Sequence, residues 1–267
     1  MKEKIAFIGA GNMCRAIVNG ILMGGVCESE NVTVHDKMTE KYADFKKIGI
    51  YPSSTVKEAA EFADIIFLAV KPQNFDEIIA ELSACSLKGK TLVTIAAGIS
   101  TDYIAKGIEK GVGIIRVMPN TPMLIGMGAA AICKNPYVSD EAFSCVCEMF
   151  RSVGEVCVMK EDKLNTVIAL HGSSPAFVYL FIKSMLEWAK ENGFEDEEAK
   201  KLVCSAFEGS ARMLLTSENS PEELIRAVSS PGGTTLAALA EFEKNGFERT
   251  VKDAMDACTR RAFELSK

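Results

Sequence analysis

The sequence predicts a doubly wound, mainly parallel α/β domain followed by an all-α domain, and three observations carry that prediction. Short apolar runs alternate with helical patterns up to about position 160, and the first run leads straight into a glycine turn and a helix start. From Glu161 onward strand-like runs stop while helical periodicity continues almost to the last residue. The expected division is therefore 1–160 and 161–267.

The first element is Ile5-Ala6-Phe7-Ile8, a buried parallel strand by its β-branched and aromatic content. Gly9-Ala10-Gly11-Asn12-Met13 follows it. Gly9 can take turn dihedrals that a Cβ forbids, and Gly11 lets the backbone approach a pyrophosphate. The free N–H groups of the next helix would then face the phosphates. Cys14 stands where a third glycine would complete G-x-G-x-x-G, so the loop draws its weight from context. That context is a strand before it, an amphipathic helix after it (Ala16, Ile17, Ile21, Leu22), and an acid where a ribose would lie.

The acid is Asp36, at the end of a second strand (Asn31 to Asp36) and 25 residues beyond Gly11. A carboxylate there accepts the ribose hydroxyls of NAD and repels a 2′-phosphate, which tilts the choice toward NADH over NADPH. An ordinary strand-end Asp beside Lys37 is the equal alternative. Helical stretches around Tyr42 and Phe45 and from Val56 to Phe62 come next. The nearly all-apolar run Asp64-Ile65-Ile66-Phe67-Leu68-Ala69-Val70-Lys71-Pro72 reads as a central strand covered on both faces. Pro72 marks its carboxyl end, where open α/β sheets bind ligands. Lys71 then faces a phosphate, a ribose or a substrate, unless it is a solvated strand-end charge.

After a helix from Phe75 to Leu82, Thr91 to Gly98 is another buried strand, ending in small residues. Ala96, Ala97 and Gly98 admit a flat ring, or pack tightly against the next helix, Thr101 to Lys110. Gly113 to Pro122 repeats strand then turn, with Asn120 and Thr121 held between two prolines and presented as hydrogen-bonding groups. Two further strands, Ala129 to Cys133 and Glu155 to Met159, flank a helix from Ser139 to Val153.

Helices are expected over 162–171, 175–192, 196–216, 221–228, 234–244 and 247–265, with Gly193 and Gly246 as stops and Ser174-Pro175 and Ser220-Pro221 as starts. The helix from Pro175 to Ala189 is apolar on most faces, which points to packing against another subunit. Before the helix that opens at Thr234 lies Ser229-Ser230-Pro231-Gly232-Gly233-Thr234-Thr235. Its glycines and threonines leave backbone donors and hydroxyls at a helix N-terminus, a site for a carboxylate or phosphate. An ordinary N-cap would need only one threonine.

Composition narrows the function. A net charge of −6 and a pI near 5.2, without a Lys/Arg cluster, exclude a nucleic-acid partner and favour small metabolites. No apolar stretch reaches the length of a membrane span, so a cytoplasmic protein is expected. Nine cysteines without C-x-x-C pairing and only two histidines, His35 and His171, imply reduced thiols and no metal site.

Taken together, six stretches resemble pyrroline-5-carboxylate reductases: Gly9 to Met13, Phe67 to Pro72, Ala96 to Gly98, Arg116 to Pro122, Gly172 to Phe177 and Val228 to Thr235. They run in order along nearly the whole chain, and Ser-Pro-Gly-Gly-Thr-Thr is the most specific. The resemblance implies a Rossmann domain and a helical dimerisation domain, in a homodimer or a higher homo-oligomer built from dimers. It implies substrate bound between the cofactor and partner-subunit helices, and hydride transfer from NADPH or NADH to a C=N bond. Cofactor residues would be Gly9, Ala10, Gly11, Asn12, Met13, Asp36, Ala69, Val70, Lys71, Pro72, Ala97, Gly98 and Asn120. Substrate would meet Ser230, Gly233, Thr234 and Thr235, with Glu161 in the pocket and the Thr235 hydroxyl on the ring nitrogen as the catalytic contact. Three positions depart from the family pattern: His171-Gly172-Ser173-Ser174 replaces Ser-Gly-Ser-Gly, Asp36 stands where NADPH-preferring members often carry Ser, Asn or Arg, and Val56 stands near a common Asn. A non-catalytic, regulatory relative of the same fold is the alternative.

Overall fold

The structure is a computed structural model that describes residues 2–266. Its contacts divide the chain into two compact units. The first holds everything up to Ser173 together with the segment from Cys258 onward, and the second is Ser174–Ala257.

The first unit is a seven-stranded sheet in the order β2-β1-β3-β4-β5-β6-β7. The strands are β1 (Ile5–Ile8), β2 (Val32–His35), β3 (Ile65–Leu68), β4 (Thr91–Thr94), β5 (Gly113–Pro119), β6 (Gly128–Lys134) and β7 (Gly154–Val158). β1 to β5 run parallel, β6 turns antiparallel against β5, and β7 is parallel to β6. Helices α1 (Asn12–Met23), α2 (Tyr42–Lys47), α3 (Val56–Phe62), α4 (Phe75–Ser83), α5 (Thr101–Lys106) and α6 (Asp140–Arg151) connect them. β1 and β3 are buried at every position because both sheet faces are covered, which is why their sequences do not alternate. Two apolar clusters result. Phe7 and Phe67 stack at 4.4 Å in one, and Leu68, Phe75 and Leu82 lie in the other.

The strand order reverses between β1 and β3, since β2 lies on one side of β1 and β3 to β5 on the other. The carboxyl ends of β1 and β3 therefore open a crevice at which such sheets bind ligands.

Two expected elements differ. The helix predicted over Thr101 to Lys110 stops at Lys106, with Gly107 as its C-cap, a position where Ile79 Cγ2 would lie 2.2 Å from any Cβ. The single helix predicted over 162–171 is a 3₁₀ turn at Glu161–Lys163 and a π-helical turn at Ile168–Gly172. The strands stop near 160 as the sequence implies, but this turn segment packs with the sheet, and the compact unit continues to Ser173.

The second unit contains α7 (Ser174–Glu191), α8 (Asp196–Thr216), α9 (Pro221–Ala227), α10 (Thr234–Lys244) and the start of α11 (Phe247–Glu264). Phe181 is its centre, with the rings of Phe207, Phe242 and Phe247 at 5.6, 6.1 and 5.9 Å. Around this cluster the unit leaves Leu180, Trp188, Leu202 and Leu215 exposed, and an apolar cavity of about 600 Å³ opens between α7, α8 and α10. No helix among the described residues is long and apolar enough to cross a membrane.

Candidate active site

The glycine turn after β1 is fixed from three directions. Gly9 has φ +107°, its N–H donates to the His35 carbonyl at 2.7 Å, and a Cβ would stand 2.5 Å from the Ala69 carbonyl oxygen. Only glycine fits between the ends of β2 and β3. The Ala10 N–H donates to Asp36 Oδ2 at 2.8 Å. Gly11 then caps α1 with open space around its Cβ position, no capping side chain and no acid in the first turn. Four other helices compensate their N-termini with a side chain: Thr55, Ser100, Ser139 and Ser220 each accept from a first-turn N–H. α1 leaves its amides, including those near Asn12 and Met13, open to an anion from outside the chain. Cys14 packs behind them, and burial pushes its thiol far up, so it serves as a small core residue and not as a thiolate.

Asp36 follows β2 and is more committed than its sequence position suggests. Oδ2 accepts from Ala10 N–H and from Lys41 Nζ at 2.8 Å, and Oδ1 accepts from Met38 N–H at 2.9 Å. The Tyr42 hydroxyl accepts the Asp36 N–H and donates to its carbonyl. Burial alone would raise this carboxyl, but the Lys41 ammonium and the two N–H groups outweigh it and hold it below the usual value.

At β3 the Ala69 N–H continues the ladder to Ile8, Ala69 and Val70 are half-buried, Lys71 is exposed, and Pro72 opens a 3₁₀ turn. At β4 Ala97 is exposed, but Gly98, with φ +77°, owes its small size to the chain itself: a Cβ would lie 2.9 Å from the Leu265 carbonyl oxygen. Asn120 also turns inward. Its Nδ2 donates to the His171 carbonyl at 3.2 Å and its Oδ1 accepts from Ala129 N–H at 2.8 Å, so its amide ties β5 to β6 and to the π turn and is not presented for a ligand.

Glu161, expected beside the substrate, is also bonded within the chain. Its Oε1 accepts from Thr101 N–H at 2.8 Å and its Oε2 from Thr101 Oγ1 at 2.5 Å, while Arg116 Nη1 lies 3.4 Å away. Arg116 is buried in β5, and its Nη2 donates to Asn165 Oδ1 at 2.6 Å; Asn165 in turn donates to Ser266 Oγ. Sequence reading missed this network. Its signal was a lone arginine inside the apolar run Ile114-Ile115-Arg116-Val117, a charge that needs a buried partner. His171 sits nearby with Nε2 2.7 Å from the Met118 carbonyl and Nδ1 3.1 Å from that of Val167, which fixes the ring against β5.

In the second unit, the Gly233 N–H donates to the Ser230 carbonyl at 2.9 Å across Pro231 and Gly232, and Gly232 has φ +69°. Proline then a left-handed glycine makes a type II turn. The Ser230 hydroxyl lies 2.5 Å from where a Gly233 Cβ would be. Gly233 caps α10 without a side-chain bond, and its first turn, Thr234 onward, carries no acid. The expected substrate residues Ser230, Gly233, Thr234 and Thr235 thus lie on one turn and one helix start.

Comparison with known proteins gives concordant matches. Residues 161–265 match the family model described as pyrroline-5-carboxylate reductase dimerisation, and residues 4–98 match one described as NADP oxidoreductase coenzyme F420-dependent. The chain is 37% identical over 268 residues to the pyrroline-5-carboxylate reductase of Escherichia coli (strain K12), covering 100% of each. A pyrroline-5-carboxylate reductase structure from Coxiella burnetii has TM-score 0.91 and 33% identity, covering 100% of both chains. The Plasmodium falciparum pyrroline carboxylate reductase, solved with NADP bound, has TM-score 0.89 and 30% identity over 100% of this chain and 99% of that one.

Proposed function

The chain belongs to the pyrroline-5-carboxylate reductase family, and from that premise we propose how its two glycine turns share the reaction. The protein is an NAD(P)H-dependent oxidoreductase acting on the C=N bond of 1-pyrroline-5-carboxylate to give L-proline, the last step of proline biosynthesis. The first turn holds the dinucleotide and the second holds the substrate carboxylate.

The observation that carries this division is that α1 and α10 both open on glycine, with neither a capping side chain nor a first-turn acid. Each leaves partial positive charge and free N–H groups for an anion. The residues of the first turn fit a dinucleotide: a turn at Gly9 held too close to the end of β3 for any Cβ, and open backbone at Gly11. Gly9, Ala10, Gly11, Asn12 and Met13 receive the pyrophosphate, and Ala69, Val70, Lys71, Pro72 and Ala97 line the crevice wall. When bound, the reduced nicotinamide supplies the hydride.

On the second turn the N–H groups of Thr234 and Thr235 hold the single carboxylate, with Gly233, whose own N–H closes the turn on the Ser230 carbonyl, and Ser230 shaping the turn beneath them. The Thr235 hydroxyl bonds the ring nitrogen. Because a hydroxyl both donates and accepts, Oγ1 serves the nitrogen before and after reduction without a strong acid. Orientation and exclusion of water then supply most of what an already electrophilic carbon needs.

The exposed apolar surface of α7 and α8 is covered by a second copy of the chain, in keeping with the dimerisation family it matches. A cytoplasmic homodimer, or a larger assembly of dimers, is the working form. The test is oxidation of NADH and of NADPH with DL-pyrroline-5-carboxylate, wild type beside Thr235→Ala. Turnover that falls in the variant supports the assignment; equal turnover removes Thr235 from the reaction.

A further inference from the structure

We propose that Asp36 braces the glycine loop and that Lys41 decides whether a 2′-phosphorylated dinucleotide is accepted. The inference rests on the dinucleotide reading of the first turn. It reverses the role that a carboxylate at the end of β2 suggests by position alone.

An aspartate that selects an unphosphorylated ribose must turn both oxygens toward two hydroxyls. Asp36 does not have them to spare. A carboxylate offers about four lone-pair directions, and three are taken by Ala10 N–H, Met38 N–H and the Lys41 ammonium. Its side chain is only 12% exposed. What it does hold is the amide of Ala10, in the middle of the phosphate-binding turn.

The charge balance points the same way. Lys41 neutralises Asp36 at 2.8 Å, so an incoming phosphate meets no uncompensated negative charge. The other cations nearby are engaged elsewhere: Lys37 with Glu77 at 2.5 Å, and Arg15 and Lys47 with Asp44 at 2.9 and 3.1 Å. Lys41 remains 28% exposed, and an ammonium has three donors on a flexible stem. It can keep one on Asp36 and give another to a 2′-phosphate.

Calorimetric titration of the full chain with adenosine 2′,5′-bisphosphate and with 5′-ADP separates the two roles without hydride transfer. Lys41→Met is expected to weaken the bisphosphate about tenfold, the scale of one charge-assisted hydrogen bond, while 5′-ADP binds as before. Lys41→Arg restores the bisphosphate, and Lys47→Met, an equal loss of charge away from Asp36, changes neither ligand. Asp36→Asn, which keeps an acceptor for Ala10 N–H, tightens the bisphosphate and leaves 5′-ADP unchanged. The proposal is overturned if Lys41→Met weakens both ligands alike or neither, if Lys37→Met carries the selective loss instead, or if Asp36→Asn selectively weakens 5′-ADP. A wild-type chain that binds neither ligand removes the dinucleotide reading itself, and this inference with it.

Discussion

The two glycine turns solve one problem with different support. Each opens a helix on glycine and leaves its first amides without a partner side chain or acid, while Thr55, Ser100, Ser139 and Ser220 close the helices they start. The turn after β1 is held by the sheet: Gly9 bonds to β2, presses on the end of β3, and Ala10 bonds to Asp36. The turn before α10 has a single internal bond, from Gly233 to Ser230, and its residues are exposed or half-exposed. An anion site therefore needs free amides in both places, but only the first is made rigid by its own unit's core.

That contrast is broken most severely at Gly9. In Gly9→Ala the methyl group meets the Ala69 carbonyl, and φ stays positive. Strain and overpacking together should cost about 3 kcal/mol or more in urea unfolding, with loss of 5′-ADP binding. A variant as stable as wild type would mean that the sheet does not enforce the first turn. The corresponding change in the second turn, Gly233→Ala, meets the movable Ser230 hydroxyl and, at 3.0 Å, the Ser230 carbonyl oxygen, but at an ordinary φ, and should lower the unfolding midpoint less than Gly9→Ala does.

Next in size is Thr235→Ala. No side chain caps α10, so removing the hydroxyl should leave stability within about 0.5 kcal/mol. Loss of a hydrogen bond at the reacting nitrogen should lower kcat/KM about 100-fold, on the scale of removing one oxyanion-type donor. Thr235→Ser should recover most of it. If stability and kcat/KM fall together, the hydroxyl is structural and the two turns are less alike than argued.

Much of this was legible in the sequence because burial on two faces leaves a plain mark. The apolar runs from Asp64 to Pro72 and from Thr91 to Gly98 read as strands from composition alone and contain β3 and β4, and glycine announced both turns, with proline beside it in the second. What the sequence could not show is which donor faces a polar side chain. Asp36, Asn120 and Glu161 all stand at element ends, as ligands do, yet the N–H groups that claim them come from Ala10, Ala129 and Thr101, between 9 and 60 residues away. The segment 162–171 fails as a regular helix for the same reason. Its apolar spacing is helical, but Glu161 is held by Thr101 and the His171 ring by the Met118 carbonyl, and these tertiary bonds shape the turns.

Glu161→Gln sharpens the comparison by asking whether Glu161 belongs to the sheet unit's framework or to the substrate. Arg116 is buried and keeps Asn165, and Glu161 is partly exposed, so losing the charge should cost about 1–2 kcal/mol, below the figure for a fully buried pair. KM for pyrroline-5-carboxylate should not change. A raised KM with unchanged stability would return Glu161 to the substrate pocket.

The smallest effect is a pH dependence that one turn has and the other lacks. Asp36 is held below its ordinary value in the folded chain, by Lys41 and two N–H groups that outweigh burial. Its contribution is therefore present above the unfolded value, about 3.9, and is lost as pH falls through the folded value. Urea midpoints measured from pH 7 to pH 3 should show wild type and Asp36→Asn separated by a constant gap down to about pH 5, then converging in more acid solution. The second turn, Ser230 to Thr235, contains no titrating side chain. Thr235→Ala should therefore track wild type in parallel over the whole range. If the Asp36→Asn curve is parallel as well, the carboxylate is not the brace of the first turn, and both turns rest on backbone alone.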